Sequence, residues 1–159
     1  MAWKKTYSKE QLLQKLKHYC SYQERSHQEV QEKLFSLGAI KSEREQIMVS
    51  LIEENYLNEE RFAMAYAGGK WRIQQWGKTK IRHGLKQKRV SDYCIKKALS
   101  QIDDASYMKV LEKLLTDKYE KLKNLQWLVR RKRTMDYAVG RGFETSLVIK
   151  TIDGLLKRG

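Results

Sequence analysis

The stretch that decides the fold class, residues 56–66, reads YLNEERFAMAY. Asn58 is a favoured N-cap residue, because its side-chain oxygen can accept a hydrogen bond from a free backbone N–H group of the first helical turn. Glu59 and Glu60 follow at the positive end of the helix dipole, where acidic side chains are stabilising. The stretch therefore predicts a helix that starts directly after Asn58.

The same helical pattern continues on both sides of this stretch. Apolar residues recur at helical spacing, as in Leu12, Leu16 and Tyr19, and no segment shows sustained alternation of apolar and polar residues. The chain of 159 residues has no proline and only nine glycines, so long helices meet few breakers. We therefore expect an all-α fold without strands.

Further helix boundaries can be read from local signals. Three pairs match the capping box, in which a serine and a residue three positions later satisfy each other's free backbone groups: Ser8 with Gln11, Ser26 with Glu29, and Ser42 with Glu45. Gly38 and Gly142 are placed to end helices in the left-handed conformation. These signals predict several short helices joined by tight turns.

The chain also repeats itself. When Ala39, Val90 and Phe143 are aligned, the apolar residues that follow have the same spacing in the last two copies: Cys94, Ile95 and Leu99 against Leu147, Val148 and Ile152. In the first copy we expect a slightly longer turn before Ile47 and Ile52. The chain then divides into an N-terminal extension with helical repeat 1 (residues 1–57), helical repeat 2 (58–103) and helical repeat 3 (104–159), each of three helices.

Positive charge is concentrated in the last two repeats. The formal net charge of +14 divides into +1, +7 and +6 over the three segments, and residues 70–97 hold ten basic side chains and one acid, Asp92. A charge this far from zero favours a polyanionic partner, such as nucleic acid, an anionic membrane or an acidic protein surface. We interpret the basic run as a binding face.

Two clusters supply the candidate contacts. Lys78, Arg82 and Lys86 share one face of a predicted helix, with Ile81 and Leu85 on its buried stripe. The remaining candidates are Lys70, Trp71, Arg72, Lys80, Lys88 and Arg89 near this face, and Arg130, Arg131, Lys132, Arg133 and Arg141 farther along the chain. Trp71 and Trp76 either stack on bases or belong to the core, whereas Trp127 is predicted to be a core residue.

No motif for catalysis, a cofactor or a metal is present in the sequence. It lacks a phosphate-binding glycine loop, a helical H-E-x-x-H and a glycine-framed serine. Cys20 and Cys94 are far apart and are predicted to pack as small hydrophobic residues, which fits a reducing, cytoplasmic setting. We find no apolar run of membrane-spanning length, and residues 1–7 show no signal-peptide core. We expect no catalytic residue and no membrane partner.

Motifs spread along the chain resemble those of the RecX family. After Tyr56 and Leu57, the residues in step with the family's central repeat are Arg61, Phe62, Ala63, Tyr66, Gly77, Ile81 and Leu85. Ser26, Leu34 and Gly38 resemble the first-repeat pattern, and Arg141-Gly142-Phe143 resembles the arginine-glycine-phenylalanine of the last repeat. Arg89 departs from the family pattern, because glycine is usual before Val90. The apolar motif residues, such as Phe62, Ile81 and Leu85, are predicted to be core.

This resemblance implies a fold and a function. The fold would be three tandem three-helix repeats forming an elongated, curved array. The protein would be a monomer that binds the RecA recombinase filament on single-stranded DNA, with double-stranded DNA as a further partner, and would regulate recombination, DNA repair and the SOS response. It would lower RecA's ATPase, strand-exchange and co-protease activities by limiting filament growth or promoting disassembly, without being an enzyme itself.

Two other functions are considered beside this one. The main alternative is a stand-alone, sequence-nonspecific DNA-binding repeat protein without a RecA partner. A DNA-modifying enzyme is a third reading, against which the lack of a carboxylate or histidine cluster argues.

Overall fold

The computed structural model describes residues 7–158, and every regular element in this range is helical. The helices are α1 (Lys9–Tyr22), α2 (His27–Ser36), α3 (Lys41–Glu53), α4 (Glu59–Arg72), α5 (Lys78–Gln87), α6 (Asp92–Ser100), α7 (Asp104–Lys121), α8 (Trp127–Gly140) and α9 (Thr145–Arg158). The all-α prediction is confirmed. One prediction was that residues 1–7 hold no signal-peptide core. Residues 1–6 lie outside the described residues.

The described chain divides into two compact units. The first unit takes the residues up to Ala65 together with Leu85–Lys97, and the second takes Tyr66–Gly84 together with the residues from Ala98 onward. Helices α4, α5 and α6 each contribute residues to both units. The division into three sequence repeats is a different partition of the chain and stays a prediction.

Polar residues of the 56–66 stretch hold the first unit together. The Arg61 backbone N–H donates to Asn58 Oδ1 at 2.8 Å, which confirms Asn58 as the cap of α4. The Glu59 carboxylate accepts from the Ser91 backbone N–H at 2.9 Å, immediately before α6. The Arg61 guanidinium donates to Glu24 at 2.6 Å, so this motif residue joins α4 to the segment between α1 and α2.

Of the three predicted capping boxes, the one at Ser8 and Gln11 is complete. Ser26 caps α2, but the Glu29 carboxylate accepts from the Ser26 hydroxyl and not from its backbone N–H, so this box is only half formed. The hydroxyl of Ser8 accepts from the Gln11 backbone N–H at 3.2 Å, and that of Ser26 accepts from the Glu29 backbone N–H at 3.0 Å. The prediction at Ser42 and Glu45 is wrong, because α3 begins at Lys41. The buried Glu43 carboxylate accepts from the Ile40 backbone N–H at 3.1 Å and so provides the side-chain contact at this end.

The aligned turns have the same length in all three copies. Helices α3, α6 and α9 each begin two residues after the aligned Ala39, Val90 and Phe143. The residue before each aligned position has a positive φ: 85° at Gly38, 60° at Arg89 and 101° at Gly142. The expected longer turn in the first copy is therefore wrong. That expectation aligned Ile52 with the apolar residues of the other copies, but the Ile52 side chain is 46% exposed, whereas Leu51 is fully buried.

Each unit buries its own apolar residues. In the first unit the core contains Leu12, Leu16, Val30, Leu34, Ile47 and Leu51; in the second, the buried side chains include Ile81, Tyr107, Leu111, Leu115, Phe143 and Ile152. Cys20 and Cys94 are buried free thiols, as predicted, and burial raises the pKa of both. In residues 7–158, no helix combines the length and the apolar character that a membrane crossing requires.

Candidate nucleic-acid interface

The basic helix α5 starts at a closely packed junction in the second unit. Three backbone N–H groups at this end find tertiary partners: Gly77 N donates to Arg141 O at 2.8 Å, Lys78 N to Tyr107 Oη at 2.9 Å, and Thr79 N to Gly142 O at 2.9 Å. The first N–H groups of a helix have no partner within the helix. These contacts therefore fix the start of α5, although Gly77 has no side chain that could cap the helix.

Tyr107 is the centre of this junction. Its ring lies 5.3 Å from the Trp71 ring and 5.0 Å from the Phe143 ring, measured between centroids. Its hydroxyl donates a hydrogen bond to the Glu144 carboxylate. Burial, followed by this bond to a carboxylate, raises the pKa of Tyr107 far above its ordinary value. Trp71 is half-buried beside Tyr107, so its ring takes part in the packing of the second unit.

Two of the predicted lysines converge on Trp76. The Lys70 ammonium lies 4.6 Å from the centre of the Trp76 ring, and the Lys80 ammonium lies 4.5 Å from it. An aromatic face attracts a cation through its quadrupole, so one half-buried ring holds two positive charges from α4 and α5 close together. Trp76 thus brings Lys70 of α4 and Lys80 of α5 together.

Several predicted contact residues are engaged in ion pairs within the protein. The pairs formed by predicted lysines are Lys78 with Asp104 at 3.5 Å, Lys88 with Glu29 at 3.6 Å and Lys132 with Asp136 at 2.7 Å. Arg131 donates to Asp153 at 2.7 Å. Arg130 donates to the Tyr119 carbonyl oxygen at 2.7 Å, and its guanidinium lies 3.6 Å from the centre of the Tyr119 ring.

Arg141 is held at the end of α8 and contributes to the turn after α4. Its guanidinium donates to the carbonyl oxygens of Gln74 and Gln75, the latter at 3.4 Å. Gln75 has a positive φ of 54°, a conformation that costs energy in a residue other than glycine. These contacts fix the turn, and they leave the buried Nε of Arg141 without an acceptor among the described residues.

Five of the predicted cations are exposed and form no ion pair with any described residue: Arg72, Arg82, Lys86, Arg89 and Arg133. Arg82 and Lys86 lie one turn apart on α5, as the spacing predicted. Their charges are open to a partner without the loss of an internal salt bridge.

The structure exposes residues that the sequence analysis placed elsewhere or left out. The prediction that Trp127 is a core residue is wrong, because it is the first residue of α8 and its side chain is 61% exposed. The lysines of α7 were not selected, although Lys109, Lys113 and Lys121 lie along one row of side chains spaced four residues apart. Asp117 interrupts that series and hides the pattern.

Within residues 7–158, no three histidine, cysteine, aspartate or glutamate side chains converge in a way that could hold a metal ion.

The chain is similar to known regulatory proteins. Residues 58–99 match the family model described as the second three-helix domain of RecX. The regulatory protein RecX of Prosthecochloris aestuarii is 32% identical over 143 residues, which covers 87% of this chain and 89% of that protein. The regulatory protein RecX of Lactobacillus johnsonii is 26% identical over 152 residues, and the chain spans only 56% of its length.

A solved structure shows the same fold. The crystal structure of RecX from Lactobacillus salivarius superposes with a TM-score of 0.83 at 20% identity, and the match covers 92% of this chain and 96% of that one. The fold and the 32% identity along most of both chains agree with the sequence motifs around Arg61, Gly77 and Phe143. The chain therefore belongs to the RecX family of regulatory proteins.

Proposed function

We propose that this protein binds RecA filaments on single-stranded DNA and inhibits the ATPase, strand-exchange and co-protease activities of RecA. It does so as a non-enzymatic monomer in the cytoplasm, by limiting filament growth or promoting filament disassembly. The observation that carries the proposal is the similarity of 143 residues to a regulatory protein RecX. The net charge of +14 supports it, because a filament on DNA is a polyanionic partner.

The exposed cations are the contacts that we propose first. Arg72, Arg82, Lys86, Arg89 and Arg133 form no ion pair within the described residues, so a partner that binds them displaces only water and counterions. The other predicted residues contribute differently in this proposal. Lys70 and Lys80 act through the cluster on Trp76, whereas Lys78, Lys88, Arg130, Arg131, Lys132 and Arg141 would exchange an internal contact for an external one.

A titration of RecA's ATPase tests the proposal. RecA of the source organism is assembled on single-stranded DNA, the protein is added stepwise, and its own saturation of the same DNA is measured in parallel by fluorescence anisotropy. We expect inhibition well below the concentration that saturates the DNA. Inhibition only at saturation, or none, would contradict the proposal and favour the stand-alone DNA-binding protein.

A pair of variants tests the cations of α5. Arg82→Gln combined with Lys86→Gln removes two exposed charges, and we expect inhibition to require a higher protein concentration. Lys41→Gln combined with Lys157→Gln removes the same charge from two exposed positions elsewhere and is expected to leave inhibition unchanged. Equal inhibition by both double variants would exclude this face of α5 from the contact.

A further inference from the structure

A basic groove lies between α7 and α8 in the second unit, outside most of the residues that the sequence selected. Its volume is about 380 Å³. Helix α7 provides one wall with two neighbouring rows of side chains, and Tyr137 of α8 and Arg141, directly after α8, provide the other. The α7 residues that line it are Lys109, Val110, Lys113, Leu114, Asp117, Lys118 and Lys121.

The charge of this groove is strongly positive. Its one acidic side chain, Asp117, pairs with Lys113 at 2.8 Å, which offsets one lysine. Lys109, Lys118 and Lys121 form no ion pair with any described residue. The twelve steps along the helix from Lys109 to Lys121 span roughly 18 Å at 1.5 Å per residue. The groove therefore presents three lysines without an ion pair to a described residue, spread over a length that a polyanion could follow.

An aromatic platform lies beside these cations. The Tyr137 side chain is 41% exposed, and the Lys118 ammonium lies 4.7 Å from the centre of its ring. Val110 and Leu114 add apolar surface to the same groove. A large exposed ring has no role in the core. An aromatic ring among lysines offers a stacking surface for a base and cations for the phosphates, which is the combination that binds single-stranded nucleic acid.

The end of the groove is fixed before any partner binds. Arg141 donates to the carbonyl oxygens of Gln74 and Gln75, and Gln75 itself lines the groove. The neighbouring Gly142 carbonyl oxygen accepts from the Thr79 backbone N–H at 2.9 Å. A preformed wall reduces the ordering cost of binding.

We infer that this groove binds single-stranded nucleic acid, with phosphates on Lys109, Lys118 and Lys121 and a base against Tyr137. The inference rests on the proposed function, since the filament is where the protein would meet a single strand. A duplex hides its base faces and an acidic peptide has none, so neither uses the Tyr137 ring. The lysines alone would suit all three partners, and the ring favours the single strand.

The charge contribution is tested with a fluorescein-labelled oligothymidylate of 20 nucleotides and no RecA. The triple variant Lys109→Gln, Lys118→Gln and Lys121→Gln is compared with Lys41→Gln, Lys150→Gln and Lys157→Gln, three exposed lysines outside the groove that carry the same total charge. We expect the groove variant to bind about 10- to 100-fold more weakly at 0.1 M salt, with a log–log salt slope smaller by up to about two. Equal losses in both triple variants would overturn the site.

The ring is tested separately. Tyr137→Leu should weaken binding of oligothymidylate by about fivefold or more, whereas Tyr137→Phe, which keeps the ring, should bind like the wild type. Binding of a 20-base-pair duplex should not distinguish the two variants. Equal binding of the single strand by both variants would remove the base-stacking role. If polyglutamate displaced the labelled oligothymidylate from the wild type as readily as unlabelled oligothymidylate does, the groove would be assigned to an acidic protein instead.

The groove and the regulatory function can fail independently. If the wild type inhibits RecA's ATPase and the groove variant binds oligothymidylate as tightly as the wild type, the groove is wrong and the function stands. If the groove variant loses binding to oligothymidylate but the wild type does not inhibit RecA, the groove stands and the function is wrong.

Discussion

Gly77 and Gly142 approach so closely that a β-carbon on Gly77 would lie 2.3 Å from the Gly142 carbonyl carbon. The Phe143 backbone nitrogen would lie at the same distance from it. Backbone atoms cannot swing away as a flexible side chain can, so Gly77→Ala must push the α8–α9 turn away from the start of α5. We expect a loss of unfolding free energy of about 1–3 kcal/mol or more in urea denaturation, because overpacking is destabilising.

Gly69→Ala is the matched control for this prediction. Gly69 lies within α4, and a β-carbon there meets nothing within 4 Å. Alanine should stabilise that helix by about 0.5–1 kcal/mol. If Gly77→Ala were as stable as the wild type, the close packing at this junction would be wrong.

The helices could largely be predicted from the sequence because their starts depend on local chemistry. The Ser8, Ser26 and Asn58 side chains satisfy backbone groups three residues away, so the signal and its partner lie in the same short segment. The start of α3 was misplaced because Ser42 offered an equally good local signal. Ala39 and Glu43 on either side of the observed start are buried, and this burial depends on tertiary packing that the local sequence does not contain.

The candidate site was predicted only in part for a related reason. Composition locates the basic residues, but it cannot show which of them are already engaged. Arg131 donates to Asp153, 22 positions farther along the chain, whereas Arg133 is exposed. The α7–α8 groove forms only because two helices lie next to each other in the folded chain. The exposure of Trp127 is likewise a property of the folded chain. None of these relationships is present in the spacing of residues along the chain.

Tyr107→Phe tests the hydrogen bonds at the junction where α5 starts. The change keeps the rings packed but leaves the Lys78 backbone N–H and the Glu144 carboxylate without this partner. We expect the free energy of unfolding at pH 7 to fall by about 1–3 kcal/mol, the cost of leaving buried polar groups unsatisfied. Thermal unfolding followed by circular dichroism measures it.

The same variant should change the alkaline pH dependence. Because the pKa of Tyr107 is raised in the folded protein, the unfolded chain ionises first, and this residue's contribution to stability is lost as the pH rises above its ordinary value of 10.0. Tyr107→Phe should therefore lose less stability than the wild type above that pH. The exposed Tyr22→Phe serves as the comparison, and an identical alkaline loss in all three proteins would contradict the assignment.

Glu59→Gln should alter stability in acid. Burial acts to raise the pKa of Glu59, but hydrogen bonds from the Ser91 side chain and backbone outweigh it and lower the pKa below its ordinary value of 4.5. In the range between the two values the unfolded chain binds more protons, so stability decreases as the pH falls below about 4.5. Between about pH 6 and about pH 3, the urea midpoint of the glutamine variant should decrease less than that of the wild type.

An exposed glutamate provides the comparison for this acid dependence. Glu45→Gln on α3 removes the same charge at an exposed position. A change of acid slope that is as large for Glu45→Gln as for Glu59→Gln would attribute the effect to net charge, and the contact between Glu59 and Ser91 would lose its role.

Arg130 and Arg133 should respond differently to the same change. Arg130 donates to the Tyr119 carbonyl oxygen and stacks on the Tyr119 ring, so Arg130→Gln should lower the free energy of unfolding by about 1–3 kcal/mol. Arg133 is exposed, and Arg133→Gln should change it by less than about 0.5 kcal/mol while raising the concentration needed to inhibit RecA. Urea denaturation and the ATPase titration separate the two effects, and equal destabilisation would show that Arg133 is also a packing residue.

Arg89→Gly tests a cation at a position that favours glycine. The φ of 60° at Arg89 places it in the left-handed region, as at Gly38 and Gly142 in the aligned turns. A side chain costs roughly 1 kcal/mol in this conformation, whereas glycine makes the unfolded chain more flexible, which costs about 0.4–1 kcal/mol. We therefore expect the urea midpoint of Arg89→Gly to be unchanged or slightly higher.

Binding should change in the opposite sense to stability at this position. Arg89 is exposed and forms no ion pair with a described residue, so its loss should weaken single-stranded DNA binding and reduce the log–log salt slope by up to about 0.7. Gly38→Ala is the reciprocal control, because its β-carbon meets nothing within 4 Å and its φ of 85° alone should lower stability by about 1 kcal/mol. If Arg89→Gly were less stable than the wild type, arginine would be making a contact that stabilises the turn. If it were equally stable and bound DNA with an unchanged slope, Arg89 would have to be removed from the proposed contact surface, leaving Arg72, Arg82, Lys86 and Arg133 as its exposed members.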